Sequence, residues 1–249
     1  YPTIFLNADH SSGNNPAHGK ISVRHSNQNT YSGDITVQRR IDRASDGHTS
    51  IGVAVTGQTL QQWQDNGITM SGFAGSTVPA FWNSVSSYDE SVAGIRENGW
   101  EEADNITNEL GNEGTNAYRG RYVYMAVGTH DLSVSGVPYQ GNVVIPISYT
   151  PNAGANEDGW NLISNPMPCS VDWESIHGGS ITNMTDAFMI YSEDLTGQYA
   201  YYDGSVNTGS GGATQYIPHS QAFWVHSTGA TSLTISESDK DPTQDPTFL

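Results

Sequence analysis

The chain predicts an all-β protein: two tandem antiparallel β-sandwiches of jelly-roll or immunoglobulin-like type, with its first residues continuing a preceding β-structure. Composition is the first reason. The 249 residues hold 27 Gly and 11 Pro for turns, and 13 Tyr and 6 Trp for bulky burial in a chain that is only 35% apolar. Periodicity is the second. Short alternating or apolar runs recur between turn residues, and no helix-period segment exceeds two turns. An internal echo is the third. In the first half Ile51–Val55 leads to Leu60 and Trp63, then Tyr88-Asp89-Glu90, Tyr122–Val127 and Leu132–Ser135; in the second Trp160–Ile163 leads to Val171 and Trp173, then Tyr191-Ser192-Glu193, Phe223–Val225 and Leu233–Ser236.

The division that follows is 1–30 as an N-terminal extension, 31–150 as the first sandwich, 151–240 as the second and 241–249 as a linker onward. The boundary near 150 rests on the small, polar, proline-led stretch Thr150–Asp158. Asp34–Ile41 alternates as a strand, with Ile35, Val37 and Arg39 on one side. Ile51–Val55 reads as the next strand, and Thr59 caps a single helical turn over Leu60–Trp63. Val85–Glu90 is strand-like, and Trp100 to Asn116 reads as a surface excursion. Arg121–Val127 is the most apolar and most central strand. Asp131–Gly136 alternates, and Gly141–Tyr149 carries Pro146, which belongs at an edge or bulge. Ala187–Tyr191 and Gln198–Tyr202 flank a hairpin turn, and Ala222–Val225 and Ser232–Ser236 close the domain.

The stretch Gly159–Trp173 organises the second half. Trp160, Leu162 and Ile163 favour a strand, and Asn165-Pro166 and Met167-Pro168 stop it by forbidding helix and removing two backbone donors. Trp173 then returns an aromatic to the same core. Trp160, Asn165, Pro166, Pro168 and Trp173 thus form a structural corner.

This stretch resembles the GWNLVGNPYPSAIDW signature of large surface proteins that Bacteroidota export by the type IX secretion route. Gly33–Ile41 (GDITVQRRI), Met70–Ser76 (MSGFAGS), Ile217–Val225 (IPHSQAFWV) and Leu233–Lys240 resemble further motifs of that family in the same order. Two departures stand out. His219-Ser220 replaces a Pro-Gly turn, and Thr49-Ser50-Ile51 replaces a Trp-Arg-Tyr. The resemblance implies an extracellular, adhesin-like, non-catalytic module of a longer chain and supplies no active-site residues. The start at Tyr1, without a leader, fits a processed or excised piece.

Net charge is -17 with nine Lys and Arg. Such a surface repels phosphate backbones and anionic bilayers, which excludes nucleic acid and membrane docking as partners. No apolar run approaches the ~18 residues of a membrane span. The single Cys169 excludes an intrachain disulfide and reads as a small buried hydrophobe. Arg39, Arg40 and Arg43 read either as cations bound by internal carboxylates or as an anion clamp.

No nucleophile elbow, H-E-x-x-H, phosphate loop or dinucleotide fingerprint occurs. The densest acid pairs, Glu101-Glu102 and Glu193-Asp194, sit on adjacent residues that point to opposite faces of a strand, and read as surface charge. No cofactor is expected. Calcium would suit loop oxygens at Asp239, Asp241 and Asp245 or Asn105, Glu109 and Glu113, without a D-x-D-x-D-G loop. His10, His18 and His25 match no metal spacing. Trp82, Trp100, Tyr201 and Tyr202 lie in turn-rich or alternating contexts that suit stacking on sugar rings.

The leading functional expectation is a non-enzymatic structural or adhesive module, extracellular or at the cell surface. Its partners would be neighbouring domains, identical copies in a filament, or surface glycans. A carbohydrate-binding module attached to a polysaccharide-degrading enzyme is the alternative. A glycoside hydrolase with unrecognised carboxylates is the third.

Overall fold

The structure is a computed structural model, and it describes residues 5–8, 33–107, 110, 118–151, 158–178, 180–195, 198–244 and 246. The first half runs β1 (Phe5–Ala8), β2 (Ile35–Arg43), β3 (Gly47–Ile51), helix α1 (Leu60–Asp65), β4 (Val85–Tyr88), β5 (Trp100–Glu102), β6 (Arg121–Met125), β7 (Gly128–Gly136) and β8 (Val143–Ile147). The second runs β9 (Trp160–Ser164), β10 (Val171–Asp172), the single turn α2 (Trp173–Ile176), β11 (Met184–Tyr191), β12 (Tyr199–Asp203), β13 (Thr208–Ser210), β14 (Tyr216–Ile217), β15 (Ala222–Ser227) and β16 (Thr231–Ile235).

These strands form five sheets, ordered β1-β2-β7, β3-β6-β4-β5, β13-β12-β11-β15-β9, β16-β8 and β10-β14. The protein is all-β with packed antiparallel sheets, as composition and periodicity require. Parallel pairing joins β1 to β2, the other named strands being antiparallel. The halves interlock across the 150/151 division. Strand β8 pairs with β16, and bridges join Thr49 to Ser192, Ile51 to Gln221 and Arg119 to Ile163. One buried cluster accordingly runs from Ile35 and Val37 through Trp63, Val123 and Trp173 to Leu233 and Ile235.

Strand β2 alternates as its sequence demands, burying Ile35, Val37, Arg39, Ile41 and Arg43. Its inward arginines are held inside. Arg43 lies 3.1 Å from Asp194 and donates to the Ser192 hydroxyl at 2.8 Å. Arg39 donates to the His219 carbonyl at 3.1 Å, so a backbone oxygen serves there alongside the carboxylates that charge balance suggests. Outward-facing Arg40 pairs with Asp131 at the surface. Thr59 caps α1 as expected. From α1, Gln62 and Asn66 donate to the carbonyls of Ser135 and Ser133 on the outer side of β7, at 3.1 and 2.9 Å.

Two element boundaries differ from the sequence reading. The strand expected over Ile51–Val55 lies earlier, at Gly47–Ile51. Residues 52–55 are buried without a ladder, because Gly52 passes so close to Ser164 and Gln221 that a Cβ would sit 2.4 Å from that serine. Within the expected surface excursion, Trp100–Glu102 instead adds an edge strand to β4.

The proline corner is fully interior: residues 161–170 are all buried. Prolines 166 and 168 supply no N–H, so the Asn165 side chain does the satisfying. Its amide donates to the carbonyls of Cys169, Ile217 and Pro218 at 2.9, 3.0 and 3.2 Å. Its oxygen accepts the Met167 N–H at 2.9 Å. A second tie spans the halves. Buried Glu90 accepts the Thr150 N–H and hydroxyl at 2.6 and 3.1 Å and the Gly159 N–H at 3.0 Å.

Asn165→Ala would remove the amide's bonds to three carbonyls and the acceptor of the Met167 N–H in a fully buried site, where an unmet polar group costs about 1–3 kcal/mol. The expected loss is about 3 kcal/mol or more of unfolding free energy, read as a lower urea midpoint at unchanged m-value. A loss below about 1 kcal/mol would show that water replaces the amide.

Candidate functional site

Period-two alternation divides the second-half sheet into two aromatic faces. Inward point Phe188, Tyr202, Phe223 and Ile163, around Trp173. Outward, in cross-strand register, point Tyr201, Met189, Trp224 and Leu162, with Tyr191 opposite Tyr199 and His226 opposite Trp160. Strand β6 contributes Tyr122 and Tyr124 from its outward register, and β5 contributes Trp100. The bridges between the halves bring these surfaces side by side.

The result is a groove of about 420 Å³ lined by Arg96, Glu97, Trp100, Tyr122, Trp160, Met189, Tyr199 and Trp224. Its floor is rigid. Trp224 Nε1 donates to the Tyr122 hydroxyl at 2.7 Å, and Tyr122 stacks on Tyr191 at 4.6 Å and 15°. Trp100 packs against Tyr88, Tyr122 and Trp224 at 5.3, 4.8 and 5.8 Å, and Trp160 against His226 at 4.7 Å. Tyr199 is 43% exposed at the rim. The indole N–H groups of Trp100 and Trp160 and the Tyr199 hydroxyl meet no hydrogen-bond partner among the described residues. The groove thus joins ring surface with unengaged polar edges.

Burial sets the charge state of the groove's phenols. Burial pushes the Tyr122 hydroxyl far above the usual phenol range, against the pull of the Trp224 bond. Burial and the neighbouring Glu193 charge raise Tyr191 to about 12. Both remain neutral near pH 7. Among the described residues Glu97 is the carboxylate that lines the groove, with Arg96 at 3.8 Å.

A larger depression of about 580 Å³ lies across β5, lined by Leu60, Glu101, Glu102, Asp104, Arg119 and Arg121 among others. Its buried cations are engaged. Arg119 bridges Asp89 at 2.9 Å and Glu101, and Arg121 donates to the carbonyls of Arg119 and Gly120. This makes it a structural ion cluster behind Trp100 rather than a receptive site.

Of the residues singled out from sequence, Trp100 lines the groove and Tyr201 is exposed on the same face at 45%. Trp82, 44% exposed, sits on a separate platform with Phe81, His48 and Tyr124. Tyr202 is a correction: alternation turns it inward, and its hydroxyl donates to Glu174 at 2.8 Å. Trp160 is another. It does not share a core with Trp173 but packs on the opposite face. Sequence reading missed the outward residues Tyr122, Met189, Tyr199 and Trp224; burial alternates over Arg121–Met125, Phe188–Tyr191 and Tyr199–Asp203, whereas Ala222–Val225 is buried throughout and carries no such signal. The acid pairs differ: Glu193 meets His48 at 3.1 Å and Asp194 holds Arg43, whereas Glu101 and Glu102 are exposed as expected, with Glu101 paired to Arg119.

Comparison with family models, with curated proteins and with solved structures finds no match. Among the described residues, no group of three His, Cys, Asp or Glu gathers as a metal site, and no helix is long and apolar enough to cross a membrane. Asp239 accepts from Ser236 and Ser175, and Asp241 and Asn105 accept from Thr243 and Thr107. His10, His18, His25, Glu109, Glu113 and Asp245 lie outside the described residues.

The Asp89 carboxyl lies below its ordinary 3.8: burial pushes it up, but hydrogen bonds from Ser91 and the Arg119 guanidinium pull it further down. A depressed carboxyl adds stability that is present above about pH 4 and lost as pH falls through the folded value. Asp89→Asn should therefore be less stable than the parent at neutral pH. It should also lose less on acidification below about pH 4, followed by tryptophan fluorescence in urea. Parallel acid profiles for the two proteins would show that this ion cluster does not set acid stability.

Proposed function

We propose that this chain is an extracellular, non-catalytic adhesive module of a large surface protein, and that it adheres by binding glycan chains in the aromatic groove. The observation that carries this reading is the groove itself, where three tryptophans and two tyrosines form its walls and floor. Aromatic rings offer flat apolar faces to the C–H surface of a sugar, and their N–H and O–H edges reach its hydroxyls. The unengaged indole and phenol groups of Trp100, Trp160 and Tyr199 suit that contact. Among the described residues one carboxylate lines the groove, and with neutral phenols beside it this supports binding rather than hydrolysis. Likeness of the Gly159–Trp173 stretch to exported surface proteins supports the location, and neighbouring domains or further copies are the proposed structural partners.

Tyr199→Ala removes exposed ring surface without touching the core. It should weaken retention on an immobilised polysaccharide panel by about tenfold, equivalent to about 1.4 kcal/mol. Tyr202→Phe, altered only inside, should bind as the parent does while losing some stability. Equal binding by Tyr199→Ala and the parent, or no retention of the parent by any polysaccharide, would remove this reading.

A further inference from the structure

Resting on the glycan-binding reading, we infer that the ligand is an uncharged linear polysaccharide and that Trp82 forms a second subsite engaged only by chains longer than the groove.

Charge decides the first part. Of the nine basic residues, Arg39, Arg43, Arg119, Arg121 and Lys240 are each 8% exposed or less. Arg40 is paired with Asp131, and Lys20 and Arg24 lie outside the described residues. At the groove, Arg96 stands beside Glu97. A polyanionic chain would meet net repulsion from a molecule of charge -17 and find one half-neutralised cation at the mouth. An uncharged chain meets neither cost.

Continuity decides the second. From the groove, Tyr199 packs on Tyr191 at 5.2 Å, and Tyr191 stacks on the groove residue Tyr122. The Tyr191 hydroxyl donates to Glu193 at 3.2 Å, which lies 3.1 Å from His48 Nδ1. His48 packs edge-on to Tyr124 at 5.3 Å, and Tyr124 meets Trp82 at 4.6 Å. Tyr124 lies two residues from Tyr122 on the same face of β6. A line of rings, joined across a gap by the Glu193–His48 pair, therefore leads from the groove to the platform. Its far end is exposed, Phe81 at 61% and Trp82 at 44%.

The platform is also held in place. Ser71 Oγ donates to the Trp82 carbonyl at 2.8 Å. Gly72, at φ +91°, packs so tightly that a Cβ would lie 2.3 Å from the Asn83 backbone. A ring carried on a held backbone and packed on Tyr124 at 4.6 Å has less freedom to lose on binding. Between the two aromatic stations, Glu193 offers acceptors for hydroxyls of the intervening sugars.

The test uses size-fractionated fragments of uncharged polysaccharides (a β-glucan, a xylan and a mannan), with a polyuronate as the charged counterpart, by calorimetry. The parent should gain affinity as fragments lengthen. Trp82→Ala should match it on short fragments and fall about tenfold or more on long ones, and Phe81→Ala should follow in the same direction. Tyr199→Ala should weaken binding at every length. Identical length profiles for the parent, Trp82→Ala and Phe81→Ala would overturn the second subsite while leaving the groove intact. Polyuronate binding as tight as the best neutral chain would overturn the ligand class. A parent that sediments as a dimer, made monomeric by Trp82→Ala, would make the platform a contact between copies and overturn its role in glycan binding. A parent that binds none of the probes removes the glycan reading and this inference with it.

Discussion

The side chain of Asn165 is the constraint from which the second half takes its shape. Two prolines leave a fully buried corner short of donors, and one amide supplies bonds to three carbonyls. Those carbonyls belong to the corner itself and to the run that enters β15, so the amide sets where β9 and β15 lie relative to each other. Their register places Trp224 beside Leu162 and His226 beside Trp160. The groove's wall is thus a consequence of how a buried backbone is satisfied at some distance from it.

The scarcity of cations has a comparable reach. In most soluble proteins lysines and arginines decorate the surface. Here the described ones are largely drawn inside, where Arg43 and Arg119 each knit separate elements through carboxylates. The positive charge that a chain this acidic possesses is used for cohesion, and the outer face is left to aromatic rings and acids. The arginines that stabilise the interior are the ones missing from the surface.

Much of the architecture was legible where a local pattern is decisive. The alternation of Ile35–Arg43, the Thr59 cap and the hairpin joining β11 to β12 each rest on neighbours in sequence. What escaped depends on contacts far along the chain. The strand over Gly47–Ile51 is fixed by pairing with β6, and the close approach of Gly52 to Ser164 ends it early. Adjacent Tyr201 and Tyr202 look equivalent in sequence and are separated only by which face meets the core. The groove was half legible. Trp100 stood out, but Tyr122 and Trp224 read as ordinary strand residues until the bridges between the halves set their outward faces together.

The contacts that α1 makes with β7 carry one more implication. A β-strand at the border of a sheet ordinarily offers its carbonyls to any extended chain that drifts past. Here Gln62 and Asn66 already occupy two of those carbonyls. With both taken, the acceptors that a passing strand would need at those positions are already engaged, and that stretch of the border resists strand exchange.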